Sequence, residues 1–340
     1  MFEFEVGYLI HSLYESALRQ AQGPHFIAAK LQKVYLCGKI KLLMSDNLKQ
    51  STGIRLLIFL VIILISGLIG IAVSTLFIFA GDTGMKIGQG ISSIFMFVVP
   101  PIVYYFITRK EHQMQELGIR KLCPPWWLIL IGVALMFVSI PFSTSLTTWN
   151  ESMSFGGIFA KLEDYMKMLE DTAQAATEKM LNVDTIGGLL FNLVVIALIP
   201  AIGEELTFRG VLQQSLTRKM NPHVAIIISA AIFSFIHFQF YGFLPRMFLG
   251  ILMGYMFYIT NSLWTSMLMH FVNNGSAVVL YYLSNKGVIE DAEHFGETSN
   301  VWIIVASAAV TIALIAWSWI KAQPKRQAKV APMIPPTEND

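Results

Sequence analysis

The sequence predicts an all-α, polytopic membrane protein with about eight spanning helices and one amphipathic surface helix. Three observations carry that prediction. Apolar residues make up 55% of the 340-residue chain and charged residues only 14%, with a mean hydropathy of +0.59, whereas a soluble domain carries roughly 25% charged residues. The apolar residues gather into runs near the length of about 20 residues that a helix needs to cross a bilayer. Lys and Arg then concentrate in alternate connections between those runs. A formal net charge of +2 is too small to argue for nucleic acid, and no basic stripe interleaved with aromatics occurs, so no nucleic-acid partner is expected.

Residues 1–43 hold the breaker Gly23-Pro24 and scattered charges without a clean apolar run. Met44-Ser45-Asp46-Asn47-Leu48-Lys49-Gln50 reads as a short polar leader into the first span. Met44 is therefore the expected start and residues 1–43 an over-extended reading frame; the competing reading is an amphipathic cytoplasmic arm. No A-x-A-like cleavage site follows the first apolar run. The spans are predicted at 54–80, 87–107, 126–146, 185–203 (continuing toward Leu216), 223–240, 244–260, 262–284 and 300–320. Thus 44–184 carries three spans and the amphipathic helix, 185–285 the polar motifs, and 286–323 the last span. The Pro-rich end, 324–340, is expected to be disordered.

Orientation follows from the basic residues. One set of connections holds Lys49, Arg55, Arg109, Lys110, Arg120, Lys121, Arg218 and Lys219, and the C-terminal end adds Lys321, Lys325, Arg326 and Lys329. The alternate set is acidic or nearly neutral. Both termini are therefore expected in the cytoplasm. Cys37 and Cys123 fall on that reducing side without CxxC spacing, so neither a disulfide framework nor a thiolate metal site is expected. Within 147–184, Phe155, Ile158, Phe159, Leu162, Met166, Leu169, Ala173, Ala176 and Met180 recur at helical period, opposite Glu163, Asp164, Glu170, Asp171 and Glu178. That pattern predicts a helix lying on the outer membrane surface, either packed on the bundle or acting as a lid.

Ionisable groups inside spans mark function by default. In Glu204-Glu205-Leu206-Thr207-Phe208-Arg209, neighbouring positions point about 100° apart, so the two glutamates are expected in different environments. Glu205 and Arg209, four apart, form a helix ion pair. Glu204 is left without a partner in its own helix and suited to general acid–base work. The bland alternative is a helix end with snorkelling charges. Phe233 lies one turn before His237 and can orient its ring, although a lone histidine is also a common core residue. His270 and Asn274 share a helix face and can donate into one cavity, as an oxyanion site requires. Polar contact between helices explains them equally well, and Asn273 is expected to play that part. At about 1.5 Å per residue, Glu204, His237 and His270 lie roughly 21, 22 and 13 Å from the cytoplasmic markers Arg218, Pro222 and Asn261.

EExxxR at 204–209, FxxxH at 233–237 and HxxxN at 270–274 together resemble the CPBP family, the CAAX prenyl proteases and bacteriocin-processing enzymes also called Abi. The resemblance covers about 185–285; the remaining spans match only in hydrophobicity, and the 1–43 extension departs from the usual architecture. It implies an eight-helix intramembrane endopeptidase of the glutamate type, with no cofactor, in a bacterial plasma membrane. Its partners would be membrane lipid and a peptide or protein substrate. On that pattern Glu204, helped by His237, activates water; His270 and Asn274 hold the oxyanion; Glu205, Arg209 and Phe233 support the site.

A metalloendopeptidase stays open, because Glu204, His237 and His270 form a His₂Glu set that zinc accepts, although HExxH is absent. A serine mechanism is disfavoured, since Ser276 lies in no GxSG motif. A GxGD aspartyl motif is also absent. Two non-enzymatic classes remain: an immunity or scaffold protein that keeps the fold, and a transporter, disfavoured by the lack of an inverted repeat.

Overall fold

The computed structural model describes residues 52–107, 124–154 and 156–330, with side chains at all of these except Ile78 and 323–330. The expected start at Met44, Cys37, Cys123, Phe155 and the basic residues at 109–121 lie outside the described residues. So does the C-terminal end from residue 331. From Leu56 onward the described chain forms one unit, and no strand occurs in it.

Helix α1, Thr52–Ser74, continues as a tighter turn, Thr75–Ala80, and hands over at Gly81 (φ 68°) to α2, Gly81–Ile107. Midway, α2 widens into a π-turn at Ile94–Val98, followed by Pro100 and Pro101. A proline has no N–H to give the carbonyl four residues back, so Pro101 strips Phe97 of its helical donor. Thr207 Oγ1 donates to that carbonyl at 2.9 Å. Ser66 of α1 similarly donates to the carbonyl of Phe95. Irregular backbone at such depth is tolerated where neighbouring side chains satisfy it.

The third predicted span is two helices, α3, Trp126–Val138, and α4, Ile140–Glu151, bent by 43°. Pro141 at the second position of α4 breaks the ladder at the fully buried Ser139. Helix α5, Ala160–Leu181, is the amphipathic element. Its rotation differs from the periodicity. Glu163 and Met166 are buried and Glu170 is half-buried, while Ile158, just ahead of the helix, is 92% exposed and Phe159, Leu162, Tyr165 and Met168 are exposed too. Polar partners inside turn the helix: Glu163 accepts from Ser154 Oγ and the Gly156 amide and pairs with Lys167 Nζ at 2.9 Å. The exposed apolar face remains available to lipid.

Helix α6 runs Ile186–Thr217, capped by Thr185 Oγ1 on the Gly188 amide, with π-segments at Leu193–Leu198 and Leu206–Gln213. It confirms the continuation beyond residue 203. Helix α7, Pro222–Phe235, starts on an Asn221 cap and ends earlier than expected. Phe238 adopts φ 54°, a left-handed conformation that closes a helix, so 236–242 forms a loop rather than the last turn of a span. Helices α8, Phe243–Thr260, α9, Leu263–Asn285, and α10, Val301–Val330, complete the bundle. Its main core joins Leu128, Leu135 and Met136 of α3 to Met253 and Met256 of α8 and Met269 of α9.

Among the described residues, five helices, α1, α2, α6, α8 and α10, are long and apolar enough to cross a membrane, and the bent pair α3–α4 makes a sixth. Helix α7 has only 14 residues. Helix α9 has the length, but its His270, Asn273 and Asn274 lower its apolarity.

Candidate active site

Helices α6, α7, α8 and α9 bring the three motifs together. Glu204, Glu205, Arg209, Phe233 and His270 are all buried. Arg209 Nη1 lies 2.6 Å from Glu205 Oε1, and the same oxygen is 3.0 Å from His270 Nδ1. His270 Nε2 faces Glu204 Oε2 at 3.7 Å, longer than a hydrogen bond. The two glutamates therefore share one environment, contrary to the helix-angle expectation. The reason lies in the partner: an imidazole carries nitrogens on two sides of its ring, so carboxylates diverging from α6 meet it at opposite edges. The depth difference predicted for His270 also disappears, because His270 Nε2 and Glu204 Oε2 stand only 3.7 Å apart.

Phe233 is the hub between the imidazoles. Its ring centroid is 5.1 Å from that of His237 and 5.9 Å from that of His270, edge-on to both, and Arg209 Cζ lies 5.1 Å from the same ring. His237 is half-buried, just past the end of α7, with Nδ1 2.8 Å from the Phe233 carbonyl. A carbonyl only accepts, so in the neutral ring Nδ1 carries the proton and Nε2 presents its lone pair.

Asn274 Nδ2 reaches the Ile196 carbonyl of α6 at 3.5 Å, and Asn273 Nδ2 donates to Asn274 Oδ1 at 3.1 Å. Asn274 makes the interhelical contact expected of Asn273, and Asn273 braces Asn274. Pro200 explains the choice of partner, since it has no N–H to offer Ile196 O.

The loop that carries His237 is held from other helices. Asn150 of α4, itself buried, donates from Nδ2 to Phe240 O at 3.0 Å and accepts from the Leu244 amide at Oδ1, 2.8 Å. Glu170 of α5 accepts from the Tyr241 amide at 3.1 Å, and Arg246 Nη1 of α8 donates to Gln239 O at 3.3 Å. Sequence reasoning singles out neither Asn150 nor Arg246, and it assigns Glu170 to the outer face of α5. Arg246 was detectable as an ionisable residue within a predicted span, but beside Pro245 at the helix start it resembles an interfacial charge. Asn150→Ala is expected to lower stability by about 1–3 kcal/mol for each backbone group left unsatisfied. Thermal unfolding in detergent measures the loss, and an unchanged transition would show that the clamp does not hold the loop.

Burial holds the Glu170 carboxyl above the usual carboxylate range, with Glu151 and Asp171 pushing the same way and the Tyr241 amide and Arg246 opposing. A carboxyl raised on folding stabilises the protein below its ordinary value, and that contribution is lost as pH rises through the raised one. Relative to Glu170→Gln, the wild type is expected to lose stability as pH rises through that window. Parallel curves of transition temperature against pH for the two proteins would contradict this.

Among the described residues, no three of His, Cys, Asp and Glu converge to hold a metal ion.

Neither a curated protein nor a solved structure matches the chain significantly. The family model described as type II CAAX prenyl endopeptidase Rce1-like matches residues 186–276. That segment opens at the first residue of α6 and closes two residues after Asn274, so it takes in all three motifs. Over residues 186–276 the chain is thus similar to the type II CAAX prenyl endopeptidases that this model describes, which agrees with the resemblance read from the three motifs.

Proposed function

We propose that the protein is an intramembrane endopeptidase that hydrolyses a peptide bond with water activated by Glu204. The observation that carries this reading is the division of labour around His270. Glu205 is tied to Arg209 and His270 Nδ1, whereas Glu204 has no hydrogen-bonded partner at its carboxylate among the described residues. Glu204 is then the group free to take a proton from water, with His237 Nε2 as a second acceptor that orients it. The hydroxide attacks the peptide carbonyl, and the proton passes to the leaving amine. His270 and Asn274 supply donors for the oxyanion; the long Asn274–Ile196 contact is weak enough to be exchanged for it. Glu205, Arg209 and Phe233 hold the imidazoles in place.

Counting the α3–α4 pair, α7 and α9 as spans gives eight. With eight spans, the Lys and Arg bias supports a topology with both termini on the cytoplasmic side and α5 on the opposite surface, and the membrane we propose is a bacterial plasma membrane. The test is cleavage of a quenched fluorescent peptide pool by purified protein in liposomes, compared with Glu204→Gln and His270→Ala, each with and without a strong chelator. Cleavage lost in both variants and indifferent to chelator supports the glutamate mechanism. Chelator inhibition reversed by zinc overturns it. No cleavage by folded wild type favours a scaffold or immunity role.

A further inference from the structure

Beyond its long bond to the loop that carries His237, Arg246 has no part in the site described so far. Helices α6 and α8 keep a fixed register: Arg209 Nη2 donates to Gly250 O at 2.9 Å and Gln213 Nε2 to Gly254 O at 3.0 Å, each across 41 residues. One turn back, the same register sets Arg246 opposite Glu205, level with the two glutamates. Arg246 also shares a helix face with Gly250, four residues on. At Gly250 an added Cβ would meet Ala230 at 3.1 Å and Phe233 at 3.4 Å, so this face looks toward α7 and the motifs.

The guanidinium is part-buried and folded over Gly242 so closely that a Cβ there would lie 2.1 Å from Nη2. No carboxylate forms an ion pair with it among the described residues. Its charge is felt by Glu204, His237 and Glu170. The bland account is a brace for the loop, but its one side-chain bond, to Gln239 O, is 3.3 Å long. Asn150 and Glu170 make shorter bonds to the same loop. An arginine kept part-buried near carboxylates but paired to none leaves its planar fork open, and that fork fits a carboxylate from outside with two hydrogen bonds.

We propose that Arg246 is a substrate-binding residue that receives a carboxylate of the peptide, at its C-terminus or on an acidic side chain, and so sets which bond lies over Glu204. This rests on the peptidase reading. A lipid headgroup is the weaker occupant, because the guanidinium is part-buried and folded over Gly242.

The experiment uses the quenched peptides in three forms: free acid, C-terminal carboxamide, and free acid with Asp and Glu replaced by Asn and Gln. The full-length protein is compared with Arg246→Gln and Arg246→Lys. Wild type is expected to prefer a carboxylate-bearing form by about tenfold or more in kcat/KM. Arg246→Gln should bring that ratio to about one, mainly through KM, and Arg246→Lys should keep part of it. Preference lost on amidation alone identifies the C-terminal carboxylate; preference lost with Asn and Gln alone identifies a side chain. Absence of preference in wild type, or a preference that Arg246→Gln leaves intact, overturns the proposal. If wild type cleaves nothing, equilibrium binding of the same acid and amide pairs to Glu204→Gln protein, with and without Arg246→Gln, separates the two readings. An acid preference that depends on Arg246 upholds this site while the peptidase reading fails; equal binding overturns it.

Discussion

Glu204→Gln is expected to lower peptide turnover by about 10²–10⁴-fold, the usual contribution of a positioned general base, while leaving the protein folded. Glu204 is 8% exposed, and its nearest ionic neighbour, His270 Nε2, stands at 3.7 Å. An amide of the same size fits there without orphaning a hydrogen-bonded partner, so the loss falls on chemistry rather than on folding. The adjacent Glu205 behaves oppositely. Its Oε1 serves both Arg209 and His270, so Glu205→Gln removes the charge that both depend on. Initial rates and transition temperatures measured on the same samples distinguish the two. A Glu204→Gln enzyme retaining more than about a tenth of the wild-type rate would remove Glu204 from the role of base.

Arg209→Met is expected to lower stability by about 3–5 kcal/mol, as for removal of one member of a buried ion pair. The guanidinium is 1% exposed and bound on three sides, by Glu205 Oε1, Gly250 O and the Phe233 ring. Without it, Glu205 keeps an uncompensated charge in a dry site, and one of the two bonds that set α6 against α8 is lost. Adding Glu205→Gln to Arg209→Met should recover part of the loss, since the stranded charge goes with it. Denaturant titration of the single and double variants in mixed micelles measures both quantities. A single variant within about 1 kcal/mol of wild type would show that the pair is not what holds this part of the bundle together.

Much of this arrangement was legible in the chain. Apolar runs locate the long helices because lipid demands length and hydrophobicity in one segment, and the match over 186–276 agrees with the motifs read at Glu204, His237 and His270. The Glu205–Arg209 contact follows from helical spacing alone. What spacing within one helix does not report is the shape of the partner. That is why both glutamates meeting a single imidazole was not foreseen. The early end of α7 depends on Phe238 adopting φ 54°, a conformation its side chain does not advertise. The rotation of α5 was misjudged because Glu163 and Glu170 find donors in Ser154, Gly156 and the Tyr241 amide, all distant or irregular in sequence. Asn150 and Arg246 escaped for the same reason: their significance lies in what the loop after His237 presents to them.

The two prolines in α2 and α6 bear on how the chain is made. Pro101 leaves Phe97 O to Thr207, and Pro200 leaves Ile196 O to Asn274. A carbonyl without a donor costs several kcal/mol in hydrocarbon. During synthesis, α2 therefore emerges before the Thr207 hydroxyl of α6 that meets its Phe97 carbonyl, and α6 before the Asn274 amide of α9 that reaches its Ile196 carbonyl. Each of these helices is thus completed by a side chain that follows it in the sequence, so the pairing of α2 with α6 and of α6 with α9 is written into the order of the chain.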